Sequence, residues 1–360
     1  MRIALLGTRG IPANYGGFET FAEELGSRLT ARGHQVTIYC REKHSPPQYK
    51  GVDLVYLPTI HHKYFETLAH TFVSTLHLVL HRHHDVVLYC NAANAIFTIL
   101  PRVLGMPVAL NVDGLERQRK KWNSLARSWY LLSEWLSTKL PTHIVTDALR
   151  IREYYFERYA ADSTYIAYGA ETGRLESADV LTRLGLQRGE YFLYVSRLEP
   201  ENNGLLVRQA FERVRCEQKL ALIGDAPYAH RYIAQIRDTK DPRVVMPGAI
   251  YGVGYKELQS HCFAYIHATE VGGTHPALIE AMGRGALVLY LDTPENAEVV
   301  GDAGIAFTAE TLTEKLSQTL RMSSAERERL RSLAQSRVTS LYGWEAVTTE
   351  YEALFHRLLA

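Results

Sequence analysis

Cysteine is scarce, with four residues in 360, and Cys40, Cys90, Cys216 and Cys262 stand at unrelated spacings with no CxxC pair. That excludes a disulfide scaffold and a cysteine metal knuckle, and leaves buried thiols in a reducing compartment. No run reaches the ~18 uncharged apolar residues that a spanning helix needs. The opening MRIALLG is too short for a secretory leader and runs into a glycine-rich loop. The expectation is a cytoplasmic protein, soluble or peripheral at the inner face of the cell membrane. An excess of one charge is missing too: 40 Lys+Arg face 39 Asp+Glu, which gives no reason to expect a nucleic-acid partner. There is no repeat of fixed period, Walker loop, G-x-S-x-G elbow or DxD, and no histidine–carboxylate cluster at metal spacing. The run His81-Arg82-His83-His84 reads as a solvated helix end.

What is present is ordinary globular composition, 46% hydrophobic and 22% charged, in a length that suggests two domains with a core each. The near-zero sum hides an asymmetry: residues 1–172 carry 19 basic and 15 acidic side chains, so residues 173–360 carry 21 and 24. The N-terminal part is therefore mildly basic, and it holds ten of the fifteen histidines.

Short β-branched runs alternate with amphipathic stretches. Strands are expected at 2–7, 35–41, 52–58, 85–91, 107–113, 142–148 and 164–169. Between the first two, Phe18, Phe21, Ala22, Leu25 and Leu29 recur at helical spacing, with Gly33 where a helix stop belongs. The same grammar restarts after residue 171, with strands at 191–197, 220–225, 244–248, 262–268, 286–292 and 304–308. Alternation of this kind implies parallel sheets covered on both faces, hence an α/β fold of two doubly wound, Rossmann-like domains. Residues 1–172 form the first domain and 173–342 the second. The tail from 311 reads as entirely helical with a break at Tyr342-Gly343, and 343–360 is a final amphipathic helix. Ligands of such folds bind at the carboxyl ends of strands, in a cleft between the two sheets, so the loops that follow strands should carry the chemistry.

The first loop contains Gly7-Thr8-Arg9-Gly10-Ile11-Pro12 and then Gly16-Gly17-Phe18-Glu19-Thr20. It is not GxGxxG, and Arg41 stands where a dinucleotide-binding fold has its ribose acid. Gly16-Gly17 before a helix lets amides approach a phosphate, or simply makes a tight β–α turn. Asn91 ends the fourth strand. After the fifth come Asp113, placed to orient sugar hydroxyls or act as acid or base, and Glu116, which also suits a helix first turn. Residues 117–140 follow, where Arg117, Arg119, Lys120, Lys121 and Arg127 alternate with Trp122, Trp129, Tyr130 and Trp135. That mixture fits a peripheral membrane surface, while tryptophans at helical spacing also suit a core.

In the second domain Arg197 follows the first strand, where its planar fork can clamp an anion or pair with Glu199 or Glu201. Gly224 and Gly248 close the next two strands. The strongest pattern runs from Thr269 to Met282: Gly272-Gly273-Thr274 offers consecutive amides, Pro276 takes the first helical position, and a helix N-terminus points at an anion. Glu280 lies about one turn further along an otherwise apolar helix. There its carboxylate can accept both hydroxyls of a ribose.

These motifs resemble the retaining GT-B glycosyltransferases of glycosyltransferase family four, in the rhamnosyltransferase-like branch with a DUF1972-type N-terminal domain. The resemblance covers essentially the whole chain and implies a C-terminal helix that returns to the N-terminal domain. It implies that Gly16, Gly17, Arg197, Asn202, Gly224, Gly248, Gly272, Gly273, Thr274 and Glu280 meet the donor, with Arg197 on its diphosphate and Glu280 on its ribose. Arg9, Tyr15, Asn91, Asp113 and Glu116 would lie on the acceptor side, with Asp113 where many relatives place an active-site histidine. Asp113, Arg197 and Glu280 would be the catalytic set. Two positions depart from the wider family: Asn202 replaces a lysine and Gly272 a glutamate. The implied activity is transfer of a hexose from a nucleotide diphosphate sugar, dTDP-L-rhamnose on this branch, to a saccharide or lipid-linked saccharide in surface polysaccharide synthesis. Neither cofactor nor metal is expected, and residues 117–140 would touch the membrane. Alternatives are a GT-B nucleotide-sugar epimerase and a catalytically silent nucleotide-sugar-binding protein. A two-domain dehydrogenase is disfavoured by the missing GxGxxG.

Overall fold

The computed structural model describes residues 1–14, 16–42, 46–60, 62, 65–120, 122–226 and 229–360. Their contacts divide into two compact units, Met1–Gly169 with Trp344–Ala360, and Ala170–Gly343. The boundary falls three residues before 172/173, because Ala170 and Gly343 lie side by side and the Ala170 N–H donates to the Tyr342 carbonyl at 2.7 Å.

The first unit is built on an eight-stranded sheet: β1 Arg2–Leu6, β2 Gln35–Cys40, β3 Gln48–Tyr49, β4 Val52–Tyr56, β5 Val86–Cys90, β6 Val108–Asn111, β7 His143–Thr146 and β8 Thr164–Tyr165. Their order across the sheet is β3-β4-β2-β1-β5-β6-β7-β8. All pairings are parallel except β3 with β4. The two-residue hairpin strand β3 is an addition to the strands expected from sequence, too short for any periodicity to register. Central β5, VVLYC, is buried throughout, as a strand covered on both faces requires. The covering helices are α1 Gly17–Ala31, α2 Glu66–His81, α3 Ile99–Val103, α4 Ser124–Ser137 and α5 Leu149–Tyr159.

The second unit has six parallel strands, β9 Tyr191–Val195, β10 Lys219–Ile223, β11 Val244–Gly248, β12 Ala264–His267, β13 Val288–Leu291 and β14 Gly304–Phe307, in the order β11-β10-β9-β12-β13-β14. Its helices are α6 Asp179–Leu184, α7 Gly204–Glu212, α8 His230–Arg237, α9 Gly252–His261, α10 Pro276–Gly283, α11 Pro294–Val300, α12 Leu312–Arg321 and α13 Ser324–Leu341. The tail has a break beyond the expected one: α12 ends at Arg321, and Ser323 caps α13 by accepting the Glu326 N–H. Phe192, Tyr194, Phe211, Leu222, Ile266 and Leu289 form this unit's core.

The last helix, α14 Trp344–Leu359, belongs to the first unit. Tyr351 packs at a tilt against Phe21 of α1, 5.3 Å between ring centroids, and Arg32 holds Glu345 and Glu352 at 2.8 Å each. Cys40, Cys90 and Cys262 are buried thiols, whereas Cys216 is partly exposed, a correction to the expectation for all four. His81 and Arg82 end α2 in solvent as expected, but His84 is largely covered, and burial lowers its pKa to about 4.

Candidate functional site

In both units the strand order reverses beside the first strand, between β1 and β5 and between β9 and β12. Ligands of doubly wound sheets bind beyond the carboxyl ends at such a switch point. Of the loops singled out in sequence, those after β1, β5, β9 and β12 leave the sheets there, and those after β6, β10 and β11 leave from other strands of the same sheets.

In the second unit Arg197 lies two residues beyond β9, on a loop tied down from several sides. Its carbonyl accepts from Ser196 Oγ at 2.8 Å and from Asn202 Nδ2 at 2.6 Å, and Tyr194 Oη donates to the Asn202 carbonyl at 2.6 Å. Asn202 is buried, and its amide nitrogen turns toward the loop carbonyl, so it acts on the Arg197 loop from behind. Asn203 joins this loop to the one after β12: its Nδ2 reaches the Ala268 carbonyl at 2.9 Å and Glu270 Oε1 at 3.0 Å. The Glu270 N–H adds a bond of 3.0 Å to the Glu201 carbonyl. Sequence reasoning passed over Asn203, although a positive-φ asparagine before a helix is a recognisable signal.

Gly224 and Gly248 close neighbouring strands, and the Gly224 N–H donates to the Gly248 carbonyl at 3.0 Å. Gly224 has φ +150°, and a Cβ there would lie 1.8 Å from the Ser196 carbonyl oxygen, so the close packing of the β10 turn on the Arg197 loop requires glycine. Gly272 is also accounted for. A Cβ at that position would meet the His275 imidazole at 2.3 Å, so the ring occupies the space at this departure from the wider family. Gly273 and Thr274 are buried, His275 caps α10 and Pro276 opens it. The amides of this turn lie at the positive end of the α10 helix dipole.

Glu280, partly exposed on α10, accepts a hydrogen bond from Tyr255 Oη of α9 at 2.6 Å, and Gln259 Nε2 donates to the same hydroxyl at 2.7 Å. Burial, reinforced by the Glu280 charge, pushes the Tyr255 phenol well above its ordinary range, so it stays protonated and donates. The Glu280 carboxylate is thus held by two residues of α9 acting in series. Tyr255 and Gln259 were missed because their tie to Glu280 spans 25 and 21 residues on a different helix.

In the first unit the Gly7 turn packs on β5: φ is +93°, and a Cβ would lie 2.4 Å from the Cys90 carbonyl. Gly16 caps α1 without a side-chain bond, and Gly17 is its first residue. Arg9 donates its N–H to Glu19 Oε1 and its guanidinium to Glu66 Oε2, each at 2.9 Å. Glu19 is buried, and burial pushes its carboxyl pKa up against the pull of the Arg9 N–H and the Arg41 charge. A carboxylate three residues before Ala22 on the apolar stripe of α1 is the signal that would have found it. Asn91 Oδ1 accepts the Ala93 N–H at 2.9 Å and so caps the turn after β5. Asp113 holds φ +58°, its N–H on Asn111 Oδ1 at 3.0 Å, while Asn111 Nδ2 reaches Tyr351 Oη of α14 at 2.9 Å. Asp147, fully buried just after β7, joins Asp113 in raising the pKa of the Tyr168 phenol, behind the larger effect of burial. Glu116 opens a short 3-10 turn and pairs with Arg119, and Trp122 Nε1 donates to it at 3.4 Å. Tyr15 and Lys121 lie outside the described residues.

Among the described residues no three His, Cys, Asp or Glu side chains converge as metal ligands, and no helix is long and apolar enough to cross a membrane.

Residues 189–322 match the family described as Glycosyl transferases group 1, and residues 1–171 match Domain of unknown function (DUF1972). No curated protein matches the chain. Among solved structures, the chain is similar to sucrose-phosphate synthase from Thermosynechococcus elongatus, with 18% identity, TM-score 0.80, 99% of this chain and 98% of that one. It is similar to HepE from Anabaena in complex with UDP and glucose, with 14% identity, TM-score 0.79, and 99% and 100% covered. A third is WaaG, a glycosyltransferase involved in lipopolysaccharide biosynthesis, with 17% identity, TM-score 0.74 and 99% of each chain. The fold is that of the GT-B glycosyltransferases, and the group 1 match supports a transferase that uses a nucleotide sugar.

Proposed function

We propose that this protein transfers a hexose from a nucleotide diphosphate sugar to a saccharide acceptor, with the donor held by the second unit. The observation that carries the reading is the set of Arg197 on a braced loop, the Gly272–Thr274 turn at the start of α10, and Glu280 held by Tyr255, which would serve as diphosphate site and ribose clamp. Arg197, the turn amides and the helix dipole would stabilise charge on the departing diphosphate without a metal ion. With retention, the leaving phosphate would itself take the acceptor proton, and no protein nucleophile is required. Asp113 and Glu116 at the end of β6 would orient the acceptor. The resemblance of the motifs supports dTDP-L-rhamnose as donor and a lipid-linked saccharide of a surface polysaccharide as acceptor, at the cytoplasmic membrane face. One observation favours a ribonucleotide instead: a carboxylate with two acceptor oxygens suits the vicinal hydroxyls of ribose, of which deoxyribose lacks one. The HepE structures with UDP and with UDP-glucose support the same donor class.

The test is a panel of UDP-, GDP-, ADP- and dTDP-sugars screened for thermal stabilisation, followed by nucleoside diphosphate release with and without acceptor. Stabilisation by one donor and acceptor-dependent release is the expected result. Conversion of the donor sugar with no acceptor present would make the protein an epimerase, and donor binding without release would make it a silent binding protein.

A further inference from the structure

The end of α2 carries a pair of histidines that glycosyl transfer does not use. His77, half-buried, and His81, exposed, stand one helical turn apart, so both project from the same face. Their ring centroids are 4.0 Å apart and the ring planes 22° from parallel. Each ring is held through Nδ1. His81 Nδ1 donates to the His77 carbonyl at 2.8 Å, which puts the proton on that nitrogen and a lone pair on Nε2. His77 Nδ1 lies 3.1 Å from Oη of Tyr39, a buried residue of β2 whose phenol burial keeps protonated. Burial, with the His81 charge behind it, lowers the His77 pKa, so this ring is neutral at neutral pH. Among the described residues neither Nε2 has a hydrogen-bond partner.

An imidazole with Nδ1 on an oxygen and a lone pair left on Nε2 is prepared as a metal ligand, because the outer partner fixes its tautomer and its orientation. The spacing selects the metal. With roughly 2.0–2.1 Å from Nε2 to the ion, the ion lies about 3.2 Å from each centroid, and rings 4.0 Å apart subtend about 80°. That is close to the ~90° between neighbouring positions of a tetragonal Cu²⁺ or Ni²⁺ site, and well short of the ~110° of tetrahedral Zn²⁺. His83 is 6.4 Å from His81 between centroids, a span reached only by ligands on opposite sides of one ion, so solvent completes the shell. The nearest acid in the chain, Asp85, is engaged by Arg2, which leaves a site of nitrogen donors alone. His81 is also the last residue of α2, where the negative end of the helix dipole favours a cation.

We propose that His77 and His81 form a bidentate site for a divalent transition-metal ion of the Cu²⁺ or Ni²⁺ type, with Tyr39 as the positioning residue behind His77. A bound ion would close the last turn of α2 and tie it to β2 through Tyr39. The site belongs to the first unit and takes no part in the donor chemistry, so the inference does not rest on the proposed reaction.

The test is titration of the full chain, without donor or acceptor, with Cu²⁺, Ni²⁺, Zn²⁺ and Mg²⁺, followed by calorimetry and, for Cu²⁺, by the nitrogen hyperfine pattern of its paramagnetic resonance spectrum. The expected result is a site tightest for Cu²⁺, with two nitrogen ligands, that ignores Mg²⁺. Tyr39→Phe keeps the ring and removes Oη, and should weaken the site about tenfold, the low end for loss of an outer partner; His77→Gln and His81→Gln should each weaken it at least as much. His83→Gln should leave it unchanged. Unchanged affinity in both His77→Gln and His81→Gln, fewer than two nitrogens on the copper, or a loss in His83→Gln without one in His77→Gln would overturn the proposal, and unchanged affinity in Tyr39→Phe would overturn the positioning role.

Discussion

The relay behind Glu280 gives the sharpest test of the donor site. Tyr255→Phe keeps the ring and deletes only the hydroxyl that donates to Glu280 at 2.6 Å and accepts from Gln259 at 2.7 Å. A hydrogen bond to a charged group contributes about 1.5–3 kcal/mol. Glu280 is partly exposed, so water takes over part of the role and the lower end applies, about 1.5 kcal/mol or roughly tenfold in donor Kd. The turnover number at saturating donor should stay within about threefold, because the relay touches neither phosphate nor acceptor. Glu280→Ala should weaken donor binding at least as much, and the double variant should be no weaker than Glu280→Ala alone, since Tyr255 then has nothing to aim. The assay is titration calorimetry of wild type, both single variants and the double variant with the donor that stabilises the protein. Independent sites add within about 0.3–0.5 kcal/mol. Additive losses on that scale, or an unchanged Kd in Tyr255→Phe, would refute the positioning role, while an unchanged Kd in Glu280→Ala would refute the ribose clamp itself.

Arg197→Ala should lower turnover about a hundred- to thousandfold, the effect of removing one strong oxyanion donor, and a rate within threefold of wild type would reject that role. Gly224→Ala should destabilise the second unit by about 3 kcal/mol, because the new methyl must displace the Ser196 carbonyl, and unchanged thermal unfolding would show that the turn can yield. His70 is fully buried on α2, and burial together with the Arg41 charge lowers its pKa to about 4. The unfolded chain therefore takes up this proton first, so the stability it carries is full above about pH 6.5 and is lost as pH falls toward 4. At pH 4 that loss is about 3 kcal/mol. A melting curve across this range should show the drop, and His70→Asn should flatten it.

Much of the fold is legible because parallel strands buried on both faces declare themselves as apolar runs, as in β1 and β5, and because a glycine-rich turn after such a run marks a switch-point loop. Glu280 was singled out for a related reason, as a carboxylate among Ala277, Leu278, Ala281 and Met282, and the structure adds the hydrogen bond that it accepts from Tyr255. Glu19 carries the same signal on α1, and it went unread because Phe18 and Phe21 dominate that stripe.

What sequence did not show is how the loops are held. Asn111 reaches Tyr351 across 240 residues, Asn203 reaches Ala268 across 65, and Tyr255 reaches Glu280 from another helix. No local periodicity encodes such pairs, since each exists only after the sheet has brought strand ends together. The distinction bears on chemistry. A candidate such as Arg197 can be picked out from its place after a strand, but the hold on its loop depends on Asn202 and Tyr194, whose side chains are spent on backbone carbonyls. In the wider family the position of Asn202 carries a lysine that would add a cation. Here the residue braces the arginine loop instead, so in the proposed reaction Arg197 and the amides of the Gly272–Thr274 turn would bind the diphosphate without that cation.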